Sequence, residues 1–255
     1  MKPKGAVVSL AVLIGLFSES WALDFRMENK VYLGQQREPS VETTTIFYNG
    51  AVYDFLKKPP EITIFEKDHS RFVLLDTERR VKTELTSQEV EAFVERLRRR
   101  AAEYSDPFVA FLARPEFEKS FDPTARELTL SSPWMTYRVA TVDAESPELA
   151  AQYRYFADAL ARLNALLNPK GLPPFARLVV NAELQRREEI PKEVHLTIHP
   201  ETGLLPKKRT TFRSEHQLVR QIVEADRARV HQAIEFQSIF PRVSFEQYQK
   251  EHLQK

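Results

Sequence analysis

The spacing of apolar positions changes several times along this chain, and each change marks a structural boundary. From residue 25 to residue 85 the apolar residues come in short β-branched and aromatic runs separated by turn residues, which is the pattern of strands. Residues 42–48 run into Asn49-Gly50 and out through residues 51–56, predicting a hairpin, because Asn-Gly accepts the positive φ that two-residue turns require. Residues 62–65, 72–75 and 81–85 continue an antiparallel meander, and residues 25–33 supply a further strand. The runs ITIF and FVLL are apolar at consecutive positions, so cover is expected on both faces of those strands. Val81, Thr83 and Leu85 alternate with Lys82 and Glu84, as expected of an outer strand.

At Thr86 the period becomes helical. Thr86 and Glu89 have the spacing of a capping box, and Val90, Phe93, Val94, Leu97 and Ala101 form an apolar stripe that carries a helix to about Tyr104. Residues 108–117, interrupted by Pro115, predict one or two further helical turns, and residues 127–131 and 134–142 predict strands. Ser146 caps a helix with Pro147 at its first position, and Leu149, Tyr153, Phe156, Leu160, Leu163 and Leu167 recur at spacings of four and three until Asn168, Pro169 and Gly171. Strands are expected at residues 175–184, 193–199 and 207–212, the last two joined by a turn at Pro200-Glu201-Thr202-Gly203. Ser214 and Gln217 read as another capping box, opening a helix to about Phe236, and the polar tail from Phe240 is expected to fray or dock loosely. About ten or eleven strands and about three helices, without regular βαβ alternation, define an α+β fold on a large antiparallel sheet.

The first residues follow a different pattern. Met1 to Lys4 are basic, residues 5–17 form an apolar run broken only by Ser9, and small residues Ser20 and Ala22 stand before Leu23. This is the layout of an export signal cut after Ala22, since a run of about a dozen apolar residues is shorter than the roughly 20 that span a bilayer. The expected organisation is residues 1–22 as signal peptide and residues 23–255 as a single α+β domain, exported to the periplasm, with no transmembrane segment after cleavage. Removing Lys2, Lys4 and Glu19 from 37 basic and 36 acidic residues leaves 35 of each, so net charge does not point to nucleic acid.

Composition excludes several chemistries. The chain has no cysteine, which excludes disulfides, thiolate metal sites, cysteine nucleophiles and a lipid-modified N-terminal cysteine. Its six glycines are dispersed, and neither a phosphate-cradling loop nor a Gly-x-Ser-x-Gly elbow is present. His195 and His199 share a predicted strand at a spacing that sets them about 13 Å apart, too far for one ion, and His216 and His231 have no ligand spacing. The run Arg96, Arg98, Arg99 and Arg100 ends a helix, where basic side chains complement the macrodipole, and Lys207, Lys208 and Arg209 read as an exposed strand start. No cofactor, metal site or catalytic residue is assigned. The 17 phenylalanines are the most suggestive feature, because Phe47, Phe55, Phe65 and Phe72 fall on predicted strands and Trp134 and Tyr137 on a later hairpin. These six are the candidate ligand-binding residues, for a curved sheet that closes around aromatic side chains can enclose an apolar cavity.

An export signal, the absence of cysteine, a long meander interrupted by helices, and the strand-turn-strand phrases FYNGAVYDF and RFVLLDTERRVKTEL resemble periplasmic lipoprotein-carrier proteins of the LolA and LolB type. The resemblance implies a curved, unclosed, barrel-like sheet with helices across its mouth and acyl chains held between, with a lipid or acylated protein as partner. No residue here matches a functional position of that family, and the chain opens on a strand where those carriers have a helix. The expected function is thus a non-catalytic exported carrier of an apolar or lipid-bearing ligand. The alternative is a periplasmic interaction or scaffold module that uses a sheet edge or helix face to hold a protein partner.

Overall fold

A computed structural model of the chain describes residues 23–199 and 210–252. The expected signal peptide, the Pro200-Glu201-Thr202-Gly203 turn and Lys207 to Arg209 lie outside the described residues. Six strands come first: β1 (Phe25–Leu33), β2 (Val41–Tyr48), β3 (Ala51–Leu56), β4 (Glu61–Glu66), β5 (Arg71–Asp76) and β6 (Val81–Thr86). Helices α1 (Ser87–Ala102) and α2 (Pro107–Ala113) lead to β7 (Glu118–Asp122), β8 (Glu127–Ser131) and β9 (Met135–Asp143). Helices α3 (Pro147–Leu167) and α4 (Phe175–Arg186) precede β10 (Glu189–Ile198) and β11 (Thr210–Val219), and α5 (Glu224–Ile239) and α6 (Phe245–His252) end the described chain. All eleven strands join one open sheet, ordered β6-β5-β4-β3-β2-β1-β11-β10-β9-β8-β7, and every pair is antiparallel.

The hairpin at Asn49-Gly50 forms as expected, with φ of 49° and 78° at the two residues, and it fixes the pairing of Tyr48 with Ala51. Strand alternation then sorts the side chains. Phe25, Met27, Phe47, Val52, Phe65, Phe72 and Leu85 share one face and pack under α3 through Leu149, Tyr153, Phe156 and Leu163. Farther along the same face, Leu128, Leu130, Met135, Tyr137, Val139, Val194 and Leu196 pack under α2 and α4. On the opposite face Ile46, Tyr53, Ile62, Ile64, Val73 and Leu75 lie under Val230, Ala233 and Phe236 of α5. Residues of ITIF and FVLL therefore do have cover on both faces, from α3 on one side and α5 on the other.

Caps set the helix starts. The Thr86 hydroxyl accepts from the Glu89 N–H at 3.2 Å while the Glu89 carboxylate accepts from the Thr86 N–H at 2.7 Å, completing the expected box. Ser146 accepts from Leu149 N–H at 3.1 Å and opens α3.

Three expectations need correction. Residues 175–184 are helical, because Ala176, Val180 and Leu184 recur every fourth residue and face the sheet, a period that the adjacent Val179-Val180 pair obscures. Ser214 and Gln217 do not cap a helix: the strand runs on to Val219, held by β1 from Arg26↔Val219 to Leu33↔Phe212. The helix begins instead at Glu224, where Asp226 accepts the Val223 N–H at 3.0 Å and forms a two-oxygen ion pair with Arg26 at 2.8 and 2.9 Å. The described residues hold six helices rather than about three, and within the tail residues 245–252 form α6. Tyr248 of α6 is buried, Arg79 stacks on its ring at 5.1 Å, and Gln249 donates to the Leu166 carbonyl at 3.2 Å.

Candidate functional site

The face of α3 that does not enter the core borders a broad concavity. Glu148, Ala151, Tyr155, Asp158, Ala159 and Arg162 recur at three- and four-residue spacing, forming a second stripe beside the buried one. Opposite stand Ser87, Val90 and Glu91 at the start of α1, and Lys67 at the turn between β4 and β5. Between them lies a cleft of about 910 Å³ whose base is Phe65, Phe72 and Val90, with Leu23 and Gln185 at its ends. The small Ala151 and Ala159 leave the volume open. Phe65 stacks on Phe72 at 4.7 Å and reaches Tyr155 at 5.7 Å, while the Lys67 ammonium sits 5.3 Å from the Tyr155 ring. The lining therefore joins an apolar base to a charged rim. Lys67, Arg154 and Arg162 stand against Glu91, Glu148 and Asp158, so the rim carries no net charge.

Under the helices a polar row, half-buried at Asn29, Thr43, Ser214 and His216 and buried at Thr45 and Asp54, crosses four strands. Asn29 donates to the hydroxyls of Thr43 at 3.1 Å and Thr45 at 3.0 Å, which fixes its oxygen towards His216 Nδ1 at 2.8 Å. His216 Nδ1 must then carry the proton, and its Nε2 accepts from the Ser214 hydroxyl at 2.8 Å. Burial, with the Arg177 guanidinium nearby, pulls the His216 pKa down to about 3, so the imidazole is neutral. At the other end Thr45 donates to Asp54 at 2.5 Å, and burial raises the Asp54 pKa despite that bond and one from Thr43. So weak an imidazole is a poor general base at neutral pH. The row ties β11, β1, β2 and β3 together.

The six aromatic candidates do not converge. Phe65 and Phe72 form the base of the cleft, and Phe47 lies deeper in the same core, stacked on Phe25 at 4.0 Å and edge-on to Phe156 at 5.5 Å. Phe55 points to the opposite face of the sheet, where Arg229 covers its ring at 4.3 Å. Tyr137 and Trp134 belong to the α2/α4 side, Trp134 6.0 Å from Phe108, and burial pushes the Tyr137 hydroxyl up to about 12. His195 pairs with Glu193 at 2.8 Å on the exposed face, and His199 meets Thr136 at 3.3 Å. Among the described residues no group of three or more His, Asp or Glu side chains could hold a metal ion. Sequence reasoning did not find Tyr155, Ala151, Ala159 or Arg162. Their signal was the run of small and amphipathic residues on the face of α3 opposite its leucines.

A second gap, of about 710 Å³, opens between β10 and β11, bordered by Val142, Lys192, His216 and Leu218. Compared with known proteins, the chain matches no family model and no curated protein. Among the described residues no helix is long and apolar enough to cross a membrane.

Proposed function

We propose that this chain is an exported binding protein that carries an amphiphilic ligand, an acyl chain bearing a charged or zwitterionic head, in the cleft between α1, α3 and the β4–β5 turn. The observation that carries the reading is the pairing of an apolar base with a charge-balanced rim in one 910 Å³ concavity. Sites for small molecules are concavities of a few hundred to about 1,000 Å³, mostly apolar with a few placed polar groups. An acyl chain would lie along Phe65, Phe72, Val90 and the two alanines, and its head would meet Lys67, Arg154 or Arg162. The resemblance to periplasmic lipoprotein carriers supports the same class of ligand. It also suggested that the chain would be held inside a curved sheet, but the space under α3 is filled by Phe47, Phe156 and Leu163, so the ligand sits beside the helix.

The test is displacement of a fluorescent fatty acid from the purified protein. Ala151→Trp, at an exposed position on the lining, is expected to weaken binding at least tenfold with no change in unfolding temperature. Binding unaffected by that substitution would refute the placement of the site.

A further inference from the structure

We infer that the cleft beside α3 selects a zwitterionic head, with its phosphoryl or carboxyl group set over the Tyr155 ring between Arg162 and Lys67 and its ammonium group at Glu91. The inference rests on the reading of that cleft as an amphiphile site. Two charges of the rim are already used within the protein. Asp158 holds Arg154 at 3.4 Å and accepts from the Asn181 amide at 2.8 Å, and Arg154 also donates to Gln185. Arg162 and Lys67 then stand against Glu91 and Glu148. Among the described residues no ion pair engages Arg162, Glu91 or Glu148.

The local sequence accounts for these unpaired charges. The acid four residues before Arg162 is Asp158, which Arg154 and Asn181 occupy. The residues three and four positions from Glu91 are Ser87, Gln88, Val94 and Glu95, none of them basic. Arg162 follows Tyr155 by two helical turns on the same face, and its long side chain leans back towards the N-terminus of α3 and so towards that ring. The Lys67 ammonium sits 5.3 Å from the same ring, and Glu91 faces it from α1. Both signs of charge thus surround one exposed aromatic side chain. Burial and the Glu91 carboxylate raise the Tyr155 pKa while the Arg162 guanidinium lowers it, in keeping with an acid and a base that both face the phenol.

A head of one sign fits this arrangement poorly. An anion meets Arg162 and Lys67 but is repelled by Glu91, and a cation meets Glu91 but is repelled by the two bases. Arg162 and Glu91 border one cleft without forming an ion pair, and a head that carries both signs a few atoms apart bridges them. Glu148 lies about 10 Å farther along α3 from Tyr155, towards Leu23, and takes no part in this arrangement.

The probes are decylphosphocholine, decyl phosphate, decyltrimethylammonium and decanol, each below its micelle concentration, titrated into the purified full chain by calorimetry. Decylphosphocholine is expected to bind about fivefold more tightly than the other three, the gain that charge pairing gives at a partly exposed site. Arg162→Gln should weaken decylphosphocholine and decyl phosphate by about fivefold without weakening decyltrimethylammonium. Glu91→Gln should weaken decylphosphocholine and tighten decyl phosphate, so that the preference between them disappears. Unchanged unfolding temperatures in both variants report an intact fold. Phosphocholine without a chain, binding as well as its decyl ester, would support the head assignment and overturn the acyl half of the cleft reading. Equal binding of all four amphiphiles by the wild type, tighter binding of decyl phosphate than of decylphosphocholine, or head preferences unchanged in both variants would overturn the inference and leave the cleft as an amphiphile site. No binding by any of the four would overturn both.

Discussion

Acidification should cost this protein stability through His216. The unfolded chain takes up a proton at an ordinary histidine near pKa 6.5, whereas in the native state burial and Arg177 hold the His216 pKa at about 3. Between those values the native state binds fewer protons than the unfolded state, so stability rises with pH across this window and falls as pH drops below 6.5. The loss is about 1.4 kcal/mol per pH unit, hence about 2 kcal/mol between pH 8 and pH 5. At pH 5 this depends only on the native value lying well below 5. Other groups titrate over the same range, so the contribution is isolated by comparison with His216→Gln, which leaves a polar group beside Ser214 and Asn29. Urea unfolding at pH 8 and pH 5 should show the wild type losing about 2 kcal/mol more than the variant. If both lose the same amount, or if the His216 ring titrates with a midpoint near 6.5 by NMR, the buried neutral imidazole is refuted and with it the hydrogen-bond directions along the polar row.

Other perturbations follow from the packing. Phe47→Ala removes a fully buried ring stacked on Phe25 and should cost about 3–5 kcal/mol in chemical unfolding. Thr86→Ala removes one half of the capping box of α1 and should cost about 1 kcal/mol, read as a lowered unfolding temperature. Asp226→Ala leaves Arg26 without its two-oxygen partner and the Val223 N–H unbound, and should cost about 2–4 kcal/mol, with Asp226→Asn recovering part of the loss. Tyr248→Ala should free α6 from β6 and Arg79, read as faster proteolysis after residue 240 without global unfolding.

Much of the fold was legible because local chemistry and tertiary packing agree there. Asn49-Gly50, the Thr86-Glu89 box and the Ser146-Pro147 start each carry their own geometry in adjacent residues. Agreement failed where the face turned towards the core is polar. On β11 the residues facing the helices are Phe212, Ser214, His216 and Leu218, and two polar members hide the alternation of a strand. On α4 the stripe Ala176, Val180 and Leu184 is masked by Val179, whose β-branched side chain adds a run that reads as extended. The cleft was not legible at all, because Phe65, Val90 and Tyr155 come from three elements that meet only after the sheet and α3 have formed. The aromatic residues pointed to the core as a whole, and only Phe65 and Phe72 also border the cleft.

Native mass spectrometry of the purified protein tests most directly the proposal that the cleft beside α3 holds an amphiphile. It predicts a co-purifying acyl-bearing molecule in the wild type that is lost in Ala151→Trp while the mass spectrum otherwise reports the same folded charge states. A wild-type protein that stays ligand-free and fails to take up added fatty acid would contradict it.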